Sequence, residues 1–509
     1  MKVACVQQQA RAVWEYLEAK KDIFGYIDEA GKAGTDLLLI PECAYPAYFV
    51  AIDDNEFEKA MSLQDEILAG IKERAEKYGM YIAIGLVYRE GGKTYNAGLL
   101  FDDKGQLINK AYKSNHWHFD HKCFEPGRSF EIFDTKFGRM GMIVCADGRI
   151  PEIARILAIK GARVIIDLVN LVASASDPKA LMNQQYAFIL SVRAMENNTW
   201  LLAANKCGVE AKTVGYLGRS MVINPDGKIV ADCPTDEAMI LYYDLDLADT
   251  APIKGRRPEQ YSALTTPTEK LPIYKKMTSP LSSALDMELY VTTVQFAPSG
   301  LEDYIEKSAY YIKAAELADS GIISLPLLPQ EADLEGIAKK LMGAIKGSAV
   351  ATIACGAPDR RRGLCFTKDR ILGKWSKGTE PCVCETGKAG LSMLFDDEPY
   401  IPELPRVTML KGAEIVIWCD GETRPMDLKV MQTRSAENKM FMIRTSCLES
   451  DASCVTNPSG GVSTSVLKGS EMSAGTLLFK TDGLCKSVIP GTNIVTGRRP
   501  ECYGELISL

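Results

Sequence analysis

The sequence predicts an α/β protein built as two tandem copies of one layered fold. Three observations carry that expectation. The chain has 509 residues, more than one domain usually needs. An ordered series of motifs occurs twice. Within each copy, short β-branched runs alternate with amphipathic helical stretches, the pattern of α/β layers.

The repeat is the most informative feature. VACVQ (Val3–Gln7) answers VTTVQ (Val291–Gln295), and LLLIPE (Leu37–Glu42) answers IISLPL (Ile322–Leu327). INKAYK (Ile108–Lys113) matches LGKWSK (Leu372–Lys377), and GRMGMIVCAD (Gly138–Asp147) matches GKAGLSMLFD (Gly387–Asp396). PEIAR and KGARVII (Pro151–Arg155, Lys160–Ile166) pair with PELPR and KGAEIVI (Pro402–Arg406, Lys411–Ile417). RAMEN, INPDG and KGRRPEQY close the first copy; RSAEN, TNPSG and TGRRPECY close the second. The copies are therefore 1–262 and 288–509. A stretch rich in Thr, Pro, Ser and Lys over 263–287 has linker composition.

VACVQ reads as a short first strand. The following stretch spaces Val13, Leu17, Ile23, Ile27 and Ala30 at helical intervals, with Gly34 placed to stop the helix. LLLIP, VIIDLV and IVIWC are unbroken apolar runs, as strands buried on both faces should be.

Composition excludes several function classes. Apolar residues make up 46%, charged residues 25%, and net charge is −7, an ordinary globular balance that argues against nucleic-acid or anionic-membrane partners. No apolar run reaches the roughly 18 residues of a membrane span. The N-terminus lacks the apolar core of a signal peptide. The fifteen cysteines sit mostly singly, without a CxxC pair, which points to reduced thiols in a cytoplasmic protein.

Three residues carry candidate chemistry. Glu42 follows LLLIP at the C-terminal end of a buried strand, where α/β proteins form sites. Desolvation there disfavours its charged form and suits a general base. Lys113 ends a strand-like tract and could hold a developing oxyanion. It precedes all three histidines of the chain: His116, His118 and His121. Cys145 ends MGMIVC at a strand-to-helix turn, where the helix end favours the thiolate and the Ala146 N–H supplies half an oxyanion hole. Judged singly, each has a plainer reading: a helix-capping acid, a surface lysine, one more buried cysteine.

Together, the order LIPE, YK, VCADGRIPE, KGA, RAMEN, NPDG, RRPEQY resembles the nitrilase superfamily of carbon–nitrogen hydrolases across residues 1–262. The resemblance implies a four-layer αββα sandwich in each copy and a Glu42–Lys113–Cys145 triad. A second carboxylate is also implied. Asp120 stands where the N-carbamoyl-cleaving branch keeps a glutamate, and Glu125, directly before Pro126, is the alternative; Asp120 is favoured. Asn170 and the KCFEPG stretch also look like that branch. His116 and its neighbours suggest a polar pocket for a hydrogen-bonding or anionic substrate. Arg149 is read either as touching a substrate carboxylate or as pairing with Glu152, the latter favoured.

The implied reaction is cysteine-dependent hydrolysis of a small linear amide, N-carbamoyl or ureido compound through a thioester, with ammonia released and no cofactor or metal required. An acyltransferase using the same thioester is an alternative. Others are a metal-dependent amidohydrolase built on HWHFDH (His116–His121) and a non-catalytic binding or assembly protein. In the second copy, motif alignment places Leu327 at the Glu42 position and Leu394 at the Cys145 position, with only Lys377 retained. That copy is expected to be catalytically dead and to pack against the first as an intrachain pseudo-dimer.

Overall fold

The computed structural model describes residues 1–508 other than 174, 176, 178, 179, 248–252, 254, 280–287, 447–452 and 485. The chain forms two compact units. Unit 1 comprises Met1–Lys254 together with Ile489–Thr492; unit 2 comprises Gly255–Val488 and Asn493–Leu509.

In unit 1, β1 (Lys2–Gln9), α1 (Tyr16–Lys32), β2 (Leu37–Tyr45), α2 (Asp54–Met61), α3 (Gln64–Tyr78), β3 (Tyr81–Glu90), β4 (Lys93–Phe101) and β5 (Leu107–Tyr112) follow in order. Then come α4 (Asp120–Cys123), β6 (Ile132–Thr135), β7 (Gly138–Val144), α5 (Pro151–Ile159), β8 (Val164–Leu168), α6 (Leu190–Asn197) and β9 (Trp200–Ala204). β10 (Lys206–Glu210), β11 (Val214–Leu217), β12 (Met221–Ile223), β13 (Ile229–Asp232) and β14 (Met239–Asp244) complete it.

β1, β2 and β3 run parallel, with β14 on β1 and β4 and β5 continuing the sheet as antiparallel strands. β7, β8 and β9 form the parallel centre of a second sheet. Successive residues of a strand point to opposite faces, so each apolar strand serves two cores. Val3, Cys5, Leu39 and Ala83 meet Met142, Ile166 and Leu202 between the sheets. The alternate residues Val6, Leu38, Ile40 and Ile84 pack outward on Ile23 and Ile27 of α1 and Ile67 and Ile71 of α3. On the far side Val144, Leu201 and Ala203 pack on Leu190 and Ala194 of α6. Unit 1 is thus layered helix–sheet–sheet–helix. α1 buries Val13's neighbours Ile23, Ile27 and Ala30 as the spacing predicts. Leu17 departs from the pattern: it lies in the first turn and is 55% exposed. Gly34 follows the helix in the left-handed region (φ 70°), where glycine is strain-free.

Unit 2 begins with α7 (Ser262–Thr265) and α8 (Pro272–Thr278), which bury Leu264 and Ile273. Linker composition over 263–279 therefore does not produce a free linker, because these apolar side chains find a core; 280–287 lie outside the described residues. The boundary falls at Lys254/Gly255, ahead of the 262 expected from the repeat. β15 (Glu288–Gln295), β16 (Ile322–Leu328), β17 (Val350–Cys355), β18 (Arg362–Phe366) and β19 (Ile371–Ser376) form one sheet with a later edge strand. β20 (Cys384–Glu385), β21 (Gly390–Phe395), β22 (Ile415–Asp420) and β23 (Phe441–Ser446) build another. Leu327, Ala354, Leu391, Met393 and Ile417 share the core between them. Its strand registers run in step with unit 1: Val291 lies opposite Ile322 as Val3 lies opposite Leu37, and Leu391 opposite Ile415 as Met140 opposite Val164. No helix among the described residues is long and apolar enough to cross a membrane.

Candidate active site

Glu42 sits on β2 where the β2–β3 register shifts, between Ile40 and Tyr45. Gly85 on β3 makes that shift possible: a Cβ there would meet the Glu42 Cα at 2.4 Å. Cys43, immediately after, holds φ 43°, and Cys145 at the end of β7 holds φ 50°. Side-chain-bearing residues in that region are strained, and such strain gathers at functional sites.

Lys113, one residue past β5, is the hub. Its Nζ lies 2.7 Å from Glu42 Oε1 and 2.7 Å from Asp120 Oδ2. Glu42 and Asp120 are fully buried and Lys113 is 1% exposed, whereas Cys145 keeps 7%. The cysteine is thus the member of the cluster that solvent reaches. Desolvation opposes the charge on Lys113, but Asp120 and then Glu42 outweigh it and push its pKa well above the usual lysine range. Asn96 Nδ2 donates to the same Glu42 Oε1 at 2.6 Å. Glu42 Oε2 has no hydrogen-bond partner among the described residues.

The thiol itself corrects an expectation. Burial, and then the charge of Glu42, push the Cys145 pKa well above that of a free cysteine, and Lys113 only partly offsets this. The turn does not hold a ready-made thiolate; the proton stays on sulfur until a base takes it. Cys145 Sγ lies 3.7 Å from the Asn170 carbonyl, and its backbone N–H donates to Asp167 Oδ1 at 2.9 Å. Both side-chain amide atoms of Asn170 are buried without partners among the described residues.

Asp147 fixes the turn. It accepts from the backbone N–H of Ser114 (3.0 Å), Asn115 (2.7 Å) and Val144 (3.3 Å), and burial pushes its pKa up to about 7. Asn115 Nδ2 in turn donates to the Ala146 carbonyl at 2.9 Å. Asp147 thereby ties the lysine tract to the cysteine turn. Behind Glu42, the buried Lys206 Nζ donates to the Cys43 carbonyl at 2.9 Å and pairs with Glu210 at 3.1 Å. Glu210 also accepts from Phe49 N–H at 2.5 Å and Tyr216 Oη at 2.9 Å. Sequence reasoning missed Asn96, Asp147, Lys206 and Glu210, since none forms a local motif with the triad.

Of the two candidates for the second carboxylate, Asp120 joins the cluster. Glu125 does not: its carboxylate is half exposed and faces Lys93 Nζ at 3.7 Å. His116 is half-buried in the loop that leads to Asp120. Arg149 does not pair with Glu152. Its Nε donates to Gln185 Oε1 and its Nη1 to Gln184 Oε1, both at 3.0 Å, and its guanidinium lies 4.5 Å from the Trp117 ring centre. Burial without a carboxylate partner lowers its pKa to about 10. No cluster of His, Cys, Asp and Glu among the described residues is arranged to hold a metal ion.

Unit 2 carries a rebuilt counterpart. The strand registers place Asp396, not Leu394, at the Cys145 position. Asp396 shares the strained backbone (φ 44°). It accepts from Arg361 Nε and Lys377 Nζ, each at 3.1 Å. Lys377 N–H bonds the Arg361 carbonyl as Lys113 N–H bonds that of Asn96, so Arg361 replaces Asn96. Counted along the chain from the paired residues Ile322 and Leu37, Leu327 falls at the Glu42 position of the motif alignment, but it lies past a register shift and pairs directly with Ala354, whereas Glu42 lies within the shifted stretch between Ile40 and Tyr45. The thiol and the base are both absent from this constellation.

The chain matches the carbon-nitrogen hydrolase family over residues 2–254. A nitrilase of Pyrococcus abyssi is 29% identical over 252 residues, 48% of this chain and 90% of that protein. The human omega-amidase is 28% identical over 245 residues (46% and 84%), and a citrullinase of Francisella tularensis is 26% identical over 255 residues (47% and 89%). A solved amidase from Nesterenkonia sp. AN1 aligns over 51% of this chain and 97% of its own at 24% identity, with a TM-score of 0.44. Through residues 2–254, the chain belongs to the nitrilase superfamily of carbon–nitrogen hydrolases.

Proposed function

We propose that unit 1 hydrolyses a small linear amide or N-carbamoyl compound that also carries an anionic group, with Cys145 as nucleophile. The observation that carries this reading is the buried Lys113 ammonium held between Glu42 and Asp120 beside a thiol that burial keeps protonated. Such a thiol needs a local base, and Glu42 Oε2 has no hydrogen-bond partner among the described residues.

Glu42 takes the thiol proton as the sulfur attacks the carbonyl carbon. Lys113 Nζ and the Ala146 N–H stabilise the tetrahedral oxyanion. The C–N bond breaks, and the amine leaves with the proton held by Glu42. Water then gives its proton to Glu42 and adds to the thioester, which releases the acid and returns the thiol. Arg149, desolvated on Trp117 and held by two neutral glutamines, is a cation in want of an anion. The side-chain amide of Asn170, without a partner among the described residues, offers a donor and an acceptor on the residue whose backbone carbonyl faces the sulfur.

Ammonia release from paired amides and N-carbamoyl compounds, with and without a carboxylate, tests the reading. Activity is expected to vanish in Cys145→Ala and on thiol alkylation, and to survive chelation. Turnover retained by Cys145→Ala overturns the mechanism.

A further inference from the structure

Unit 1 contains one segment remote in sequence from the rest, Ile489–Thr492. Thr492 Oγ1 accepts from the His118 N–H at 2.8 Å and donates to the His116 carbonyl at 3.0 Å. One hydroxyl thus bridges two backbone groups of the loop between Lys113 and Asp120. Gly491 lies so close that a Cβ would come within 2.5 Å of the His118 carbonyl and 2.7 Å of the His121 ring, and it holds φ 85°. Only glycine fits that approach without strain.

The clamped loop does two jobs. Trp117 N–H donates to Asp120 Oδ2 at 2.9 Å, the same oxygen that pairs with Lys113. The Trp117 ring also carries Arg149 on its face. His118, between them, is held at φ 51°, a backbone a histidine adopts only when its surroundings impose it. Without the threonine bridge this turn has less to hold it, and both Asp120 and the Trp117 platform can drift. Small displacements of a positioned charge are costly in catalysis.

The geometry points to Thr492 as a positioning residue for the hydrolase site, acting through the 116–121 loop on the Asp120–Lys113 pair and on the Arg149 anion subsite. This inference rests on the amidase reading of that site. It makes residues 489–492 a working part of unit 1.

The test compares Thr492→Val, which keeps shape and loses both hydrogen bonds, with Thr492→Ser, which keeps the hydroxyl. In Thr492→Val, kcat is expected to fall about tenfold, the order of one to two hydrogen bonds. KM should rise for anionic amides and stay unchanged for neutral ones. Thr492→Ser should restore both. Amide hydrogen exchange across 114–124, which needs no substrate, should quicken about tenfold in Thr492→Val and not in Thr492→Ser. Gly491→Ala should act in the same direction and stands in if the valine variant does not fold. Unchanged exchange and kinetics in Thr492→Val overturn the proposal. So does an equal loss in valine and serine variants, which marks bulk packing. Failure of the amidase reading shows separately, as turnover that survives Cys145→Ala.

Discussion

Glu42→Gln is the most exacting single perturbation of this site, because it removes basicity while leaving the scaffold in place. Both donors that hold the side chain, Lys113 Nζ at 2.7 Å and Asn96 Nδ2 at 2.6 Å, bind Oε1, which glutamine keeps. The exchanged atom is Oε2, which has no partner to lose among the described residues. Lys113 retains Asp120 at 2.7 Å, so the buried ammonium is not left uncompensated. Stability should therefore change little. Chemistry should not survive: general-base assistance contributes about 10²–10⁴-fold, and the buried thiol, its pKa well raised, leaves little thiolate to react unaided. A loss of about 10³-fold or more in kcat/KM is expected, roughly 4 kcal/mol or more of transition-state stabilisation. Initial rates of ammonia release, a thermal melt and the rate of Cys145 alkylation by iodoacetamide, read by mass spectrometry, are the assays. A variant that melts like the wild type and turns over within tenfold of it would refute the assignment of Glu42 as base.

Arg149→Gln should raise KM for anionic amides about tenfold or more and leave neutral amides unaffected, since a charge-assisted contact of about 1.5–3 kcal/mol is removed; equal effects on both classes count against the subsite. Asp147 has a folded pKa near 7 against 3.8 for a free aspartate, so its native form binds the extra proton. Its favourable contribution is present at low pH and lost as pH rises from about 4 through 7, at most roughly 4 kcal/mol. Asp147→Asn should flatten that part of the stability–pH curve, and parallel curves for the two proteins would contradict the burial argument. Lys206→Met should destabilise unit 1 by about 3–5 kcal/mol by stranding Glu210. Lys206→Met with Glu210→Gln should recover part of this in chemical denaturation; no recovery would place the loss in packing.

Glu42, Lys113 and Cys145 were legible as candidates because each follows a recognisable apolar strand tract. Glu42 and Lys113 belong to the first sheet of unit 1 and Cys145 follows β7 of the second, so they gather only once the two sheets stack, not at the rim of one sheet. Asp120 was legible only through the family resemblance, as the acid standing where the N-carbamoyl-cleaving branch keeps a glutamate. Other features lay beyond local pattern. Asn96, Lys206 and Glu210 reach the site from the middle of strands β4 and β10 or their ends, and nothing in their own surroundings marks them. The ionisation of Cys145 was misjudged because a turn can be read from DGR-x-P, whereas burial and a facing Glu42 cannot. The misplacement of Leu394 has a geometric cause. Motif matching set the second copy two positions out of register. A two-residue slip leaves the in–out alternation of a strand unchanged, so the apolar pattern could not expose it. Backbone pairing and the left-handed φ of Asp396 do.

Asp396 neutralises two cations at once, one of them the arginine that took the place of Asn96. Putting sulfur at that position would leave the buried Arg361 without its carboxylate, while Lys377 would keep only Asp397 at 2.7 Å, a penalty of about 3–5 kcal/mol. Reinstating an acid at Leu327 first would set it among aliphatic neighbours of the intersheet core. Each single substitution toward a Glu–Lys–Cys set in unit 2 therefore costs stability before any chemistry could follow, so the present side chains act as a ratchet against it.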